Sequence, residues 1–221
     1  VPHIIDLPQI GVSQRSNLGI PEDALVFGCY GGSDSFNLDF VKKVIAELVA
    51  KNSKIYFLFM NIDRFIDHPQ VIFLPGNSDP VFKSSFINTC DAMLHARGIG
   101  ESFGLACGEF SMHNKPVITY ALSPQRNHID VLGSKAILYK GPKDLSEILL
   151  GFDRAASQKQ NWDCYSQEFS PAAVMKKFQS VFLSDNAVQR AEIQISSSDK
   201  IAVQVKRFRK KVRSLSRKIY L

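Results

Sequence analysis

The chain has 221 residues, 45% hydrophobic and 22% charged, a globular composition long enough for one substantial core or for one domain with an appendage. No run of about 18 apolar residues occurs, so no membrane-spanning helix is expected, and Val1-Pro2-His3-Ile4-Ile5-Asp6-Leu7-Pro8 lacks both a cationic n-region and an initiator Met, so it does not read as a signal peptide. The net charge of +6 is uneven: residues 201–221 carry eight Lys and Arg and no acid, leaving the first 200 residues at −2, which argues against a body built to bind nucleic acid.

In chain order, short apolar runs alternate with segments of helical period, the pattern of a parallel sheet covered by helices. Ala24–Gly28 reads as a first buried strand, followed by the small-residue turn Tyr30-Gly31-Gly32-Ser33-Asp34-Ser35. A helix over about Asn37–Lys51 has Phe40, Val41, Val44, Ile45, Leu48 and Val49 on its inner stripe. Ile55–Met60 and Val71–Leu74 are the next strands, the latter closed by Pro75-Gly76. A helix over about Asp79–Thr89 leads to strand Ala92–His95, a Gly-bearing loop, a helix to about His113 and strand Val117–Tyr120. A helix near Asn127–Leu132, strand Ala136–Tyr139 and a helix near Lys143–Phe152 follow, and Ser170-Pro171 opens a last helix with Val174, Phe178, Val181 and Phe182 on one face. The expected organisation is a Rossmann-like α/β domain over 1–183, with helices on both faces of a parallel sheet, a polar linker over 184–200 and a basic amphipathic helical tail over 201–221. The four cysteines, Cys29, Cys90, Cys107 and Cys164, have no C-x-x-C spacing and read as reduced and mostly buried.

In an open parallel sheet, ligands bind outside the carboxyl ends of the strands. Two loops fall there: Gly31-Gly32, and Gly100–Gly104, which places Glu101 and Glu109 eight positions apart across a loop entering a helix. Such a turn brings backbone close to a ligand, the first helical N–H groups face an anion, and carboxylates accept from hydroxyls. An ordinary amphipathic helix with two acids fits the same spacing. The G-x-G-x-x-G spacing of a dinucleotide site is absent, and the five histidines have no metal-ligand spacing.

From Val1 to about Phe182 the chain resembles the C-terminal, nucleotide-sugar-binding half of a GT-B glycosyltransferase of the family-four, "glycosyl transferases group 1" type. The resemblance rests on Val1–Asp6, similar to the interdomain segment of such enzymes; on Val71–Gly76 followed by Phe86-Ile87-Asn88-Thr89-Cys90-Asp91-Ala92; and on Glu101 to Glu109, an E-x7-E motif followed by Asn114-Lys115-Pro116-Val117-Ile118. It implies a retaining transferase donor domain. Glu101, the catalytic candidate, would lie near the donor sugar hydroxyls and Glu109 would bind the ribose. The N–H groups of Phe103 and Gly104, flanked by Ser102 and Leu105, would hold the diphosphate, with Gly31, Gly32, Gly76 and Asn77 around the nucleotide. No metal or other cofactor is implied, and an N-terminal acceptor-binding domain is the implied partner, so this chain alone is expected to bind donor and turn over little or not at all.

One departure stands out. Such enzymes usually place a Gly-Arg and then a Lys against the diphosphate, whereas this chain has Gly28-Cys29 and Ser33-Asp34-Ser35. Arg97 is the candidate substitute, with a surface ion pair as its other reading; His95, Arg126 and His128 lie at strand ends as ligand contacts or as packed residues. In the tail, Val205, Phe208, Val212, Leu215 and Ile219 recur at helical spacing among cations, which fits a cytoplasmic protein resting on an anionic membrane surface or a helix docked on another domain. Two other classes stay open for the body: a catalytically degenerate nucleotide-binding or interaction module of a multidomain protein, and a sugar-nucleotide epimerase of the same fold, for which no acid/base residues can be placed.

Overall fold

The computed structural model describes residues 2–183, and the expected linker over 184–200 and tail over 201–221 lie outside the described residues. The chain divides into two compact units, Val1–Lys177 and Phe178–Leu221. The first unit holds strands β1 (Leu25–Tyr30), β2 (Ile55–Met60), β3 (Val71–Leu74), β4 (Ala92–His95), β5 (Gly100–Glu101), β6 (Val117–Tyr120), β7 (Gln125–Arg126) and β8 (Ile137–Tyr139). Its helices are α1 (Asp39–Val49), α2 (Pro80–Thr89), α3 (Leu105–Met112), α4 (Asn127–Leu132), α5 (Pro142–Leu150), α6 (Arg154–Gln158) and α7 (Ser166–Phe169), and α8 (Pro171–Phe178) runs to its end.

Six strands form one parallel sheet in the order β3-β2-β1-β4-β6-β8. The order runs outward in one direction from β1 to β3 and then in the other from β4 to β8. Right-handed crossovers therefore put α1 on one face and α2, α3 and α4 on the other, and β1 and β4 flank the switch point. The central strands are apolar throughout because both their faces are covered: Phe27, Phe57, Leu58, Phe59 and Leu94 are fully buried. The first strand runs two residues beyond its expected end, because Cys29 and Tyr30 still pair with Phe59 and Met60; Tyr30 is thus a strand residue and the turn starts at Gly31.

Helix α1 buries Val41, Val44, Ile45, Leu48 and Val49. Pro80 and the Asp79 carboxylate, which accepts from Val81 N at 3.0 Å, start α2. At α3 the chain turns through Gly104, whose φ of +84° is left-handed backbone that a side chain resists. Gly108, one turn on, lies so close to Ile5 and Tyr165 that a Cβ there would sit 2.2 Å from Ile5 Cδ1. The start of the chain is thereby held on α3, and Ile5 N donates to Phe169 O at 2.9 Å. All four cysteines are free thiols, three of them buried. In the expected last helix, Val174 is buried; Val181 and Phe182 are exposed among the described residues.

Candidate functional site

The carboxyl ends of β1, β2 and β3 open into a cleft of about 460 Å³ lined by Tyr30, Gly31, Met60, Asn61, Gly76, Asn77, Ser78 and Lys83. Parallel register puts these strand ends level, and α2 brings Lys83 over the same opening. Asn61, at a positive φ of 56°, donates from Nδ2 to Gly31 O at 2.6 Å and so ties two lips of the cleft together. Gly31, Gly76 and Asn77 are among its lining residues. Gly32 is exposed on the turn beside it and is not among the lining residues.

Glu109, on α3, is only 9% exposed, and both carboxylate oxygens are engaged: Tyr30 Oη donates to Oε2 and Lys83 Nζ to Oε1. Lys83 also sits 5.2 Å from the Tyr30 ring centroid, with its own side chain 20% exposed. Burial, reinforced by the Glu109 charge, pushes the Tyr30 phenol well above its usual range, so it stays a neutral donor. Lys83 carries no motif that would single it out in the sequence; only the packing of α2 beside α3 reveals it.

Glu101 belongs to a second cluster. It lies on β5, which pairs in parallel with β7, matching Glu101 to Arg126. Its Oε1 lies 3.3 Å from His95 Nε2 and its Oε2 accepts from Arg97 Nη1 at 3.0 Å. Partial burial raises the carboxyl pKa, but His95 and Arg97 together outweigh it and the net shift is downward, which keeps Glu101 ionised. His95 Nδ1 reaches Thr119 Oγ1 at 2.9 Å, and the same oxygen reaches His128 Nε2 at 2.9 Å. Arg97 is thus both an ion-pair residue and a cation beside Glu101. Arg126 is turned back on its own loop, donating to Ala121 O. Cys29, the departure noted from the usual Gly-Arg, is a buried thiol whose pKa is pushed up to about 12 by desolvation, so it supplies no positive charge.

Between the clusters lies the start of α3. Gly104 N-caps it without a side-chain hydrogen bond, the first intrahelical bond being Gly108 N to Gly104 O at 2.9 Å. The unspent N–H groups of the first turn are therefore those of Leu105, Ala106 and Cys107, one to three residues beyond the expected pair Phe103 and Gly104. Ser102 and Leu105 are exposed at this end, and the Phe103 ring packs on His3, Tyr165 and Phe169. Among the described residues no group of three or more His, Cys, Asp or Glu is arranged to hold a metal ion.

No family model and no curated protein matches the chain. Solved structures do resemble it. HepE from Anabaena in complex with UDP and glucose superposes with a TM-score of 0.60 at 15% identity, over 77% of this chain and 50% of that one. The HepE complex with UDP-glucose gives 0.60 at 16% identity over 76% of this chain and 50% of that one. A point mutant of S. aureus TarM, in complex with Fondaparinux, alpha-GlcNAc-glycerol and UDP, gives 0.56 at 14% identity over 74% and 37%. The chain spans about half the length of HepE. It has the Rossmann-like fold of a GT-B glycosyltransferase domain.

Proposed function

We propose that the chain is the donor domain of a retaining glycosyltransferase, binding a nucleoside diphosphate sugar and working with an acceptor-binding domain supplied separately. The observation that carries this reading is the cleft at the carboxyl edge beside the switch point, which has a cation, Lys83, at its wall and the uncapped start of α3 nearby. In this reading the base and ribose enter the cleft, where Gly31, Gly76 and Asn77 leave room for them. The ribose hydroxyls take over the Glu109 carboxylate as the diphosphate draws Lys83 away from it. The amides of α3's first turn, Lys83 and Arg97 supply the counter-charge that the absent arginine would have given, and no resident metal is required of them. Glu101, held ionised by His95 and Arg97, faces the donor sugar hydroxyls.

Calorimetric titration of the chain with UDP, GDP and their sugar conjugates tests this. Saturable binding of one of them is expected, weakened about tenfold or more by Glu109→Ala and by Lys83→Met, since each removes a charge-assisted contact. A folded chain that binds none of these nucleotides overturns the donor reading. That outcome would favour a degenerate interaction module, to which the fully engaged Glu109 and the neutral Cys29 already lend support.

A further inference from the structure

We propose that a second pocket, at the amino edge of the sheet and so at the opposite end of the strands from the donor cleft, binds a phosphate group, as inorganic phosphate or a small phosphomonoester. The pocket holds about 200 Å³ and is lined by residues that include Asp91, Lys115, Arg154, Ser157 and Gln158. Ligand sites for larger molecules start at about 300 Å³, so this one suits a small ion.

Its charge is positive. Asp91, just before β4, is already paired: Oδ2 accepts from Arg15 Nη2 at 2.9 Å, Val26 N at 2.8 Å and Arg154 Nη2 at 3.0 Å, while Oδ1 forms an ion pair with Arg154 Nε at 2.8 Å without a hydrogen bond. Three cations, Arg15, Arg154 and Lys115, thus surround one acid, which leaves two positive charges uncompensated in a recessed site. Asp23, whose field also reaches Arg154, is paired with Lys54 at 2.8 Å.

Lys115 is the unexplained member. It lines the pocket, and among the described residues its ammonium has no hydrogen-bond or ion-pair partner. Burial lowers its pKa, as expected of a cation that has lost water and gained no anion. The side chains of Ser157 and Gln158, on the adjacent α6, likewise make no hydrogen bond among the described residues and offer a hydroxyl and an amide donor. His113 and Asn114 do not add donors. His113 Nδ1 donates to Glu109 O at 2.8 Å and Nε2 faces Ser84 Oγ at 2.9 Å; Asn114 Nδ2 is spent on Gln160 O at 3.1 Å. A phosphate therefore meets Lys115, Ser157 and Gln158, with the fixed arginines behind them. None of this depends on what the donor cleft binds.

The test is amide chemical-shift mapping on the full 221-residue chain, titrated with inorganic phosphate and separately with glycerol 3-phosphate at constant ionic strength. Saturable shifts centred on Lys115, Ser157 and Gln158 are expected from at least one of the two. Lys115→Met should weaken the binding at least tenfold and Ser157→Ala measurably, while Lys83→Met should leave it unchanged. Response to both titrants, or to either alone, supports the site and says whether the ester is required. Shifts that never saturate, that persist unchanged in both Lys115→Met and Ser157→Ala, or that centre on Gly31 and Lys83 and vanish in Lys83→Met overturn it. Should Lys115→Met fail to fold, the wild-type map and Ser157→Ala decide by the same criteria.

Discussion

Asp91 organises the amino edge of the sheet through partners 76 and 63 residues away, Arg15 and Arg154, while also accepting from the N–H of Val26 in β1. His128 plays the corresponding part at the other edge. It is fully buried, shares Thr119 Oγ1 with His95, and its Nδ1 has no hydrogen-bond partner among the described residues. Burial, with the neighbouring His95, lowers its pKa from 6.5 to about 4. The unfolded chain takes up this proton near 6.5 and the folded chain only near 4, so in that window the unfolded state binds more protons. Stability is complete above 6.5 and falls as pH drops toward 4. His113, also lowered by burial, adds to the same slope. Urea midpoints measured from pH 7 to 4.5 should fall, with a visibly shallower dependence in His128→Gln; identical slopes in both proteins would remove His128 as a cause. The sequence singles out His95 and His128 as strand-end candidates without showing that they share Thr119, and it marks neither His113 nor Lys83. The E-x7-E spacing marks Glu101 and Glu109, because both sit on one loop and the helix after it. The groups that hold them, Lys83, Tyr30, His95 and Thr119, come from separate strands and helices, and only tertiary packing brings them together.

Elements were read best where burial imposes a simple pattern. Strands covered on both faces are continuous apolar runs, and α1 has a single apolar stripe, so both stand out in one dimension. The β5–β7 pair does not, since two-residue strands held by a backbone register leave no hydrophobic signature. The start of α3 lies between these cases: Gly104 marks a boundary, but which N–H groups stay unspent depends on where the helical bonds begin. Gly104 combines a left-handed φ with a Cβ position 2.8 Å from His128 Cβ. Gly104→Ala should therefore cost about 2 kcal/mol or more, from backbone strain and overpacking together. Gly11, with open space around it, should accept Ala within about 0.5 kcal/mol. Urea unfolding of the two variants checks both figures, and equal stabilities would show that the turn is softer than its geometry implies.

At the scale of the whole molecule, charge separates the chain into a near-neutral body and a strongly basic end. Among the described residues no helix is long and apolar enough to cross a membrane. The eight cations of 201–221 are proposed to meet an anionic membrane surface. Co-sedimentation with phosphatidylserine-containing vesicles should be strong at low salt and lost at about 0.5 M, where the screening length is only a few ångströms. Binding that is indifferent to salt, or that survives removal of 201–221, would assign the affinity elsewhere. The sequence's alternating runs conveyed the layered architecture, because covering both faces of a sheet constrains residues everywhere along the chain. The face that each helix takes follows from crossover handedness once the strand order is known, and parallel register fixes the edge at which the cleft opens.

The hydrogen bond from Ile5 to Phe169 puts the beginning of the folded body beside α7, with Ile5 packed against Gly108 of α3. The backbone thus returns at Phe169 to nearly the point at which it entered, before α8 carries it on. A short linker across this contact would close the segment between Ile5 and Phe169 and let it be opened at another surface turn without drawing any strand out of the sheet, with α8 to be accommodated beside the junction.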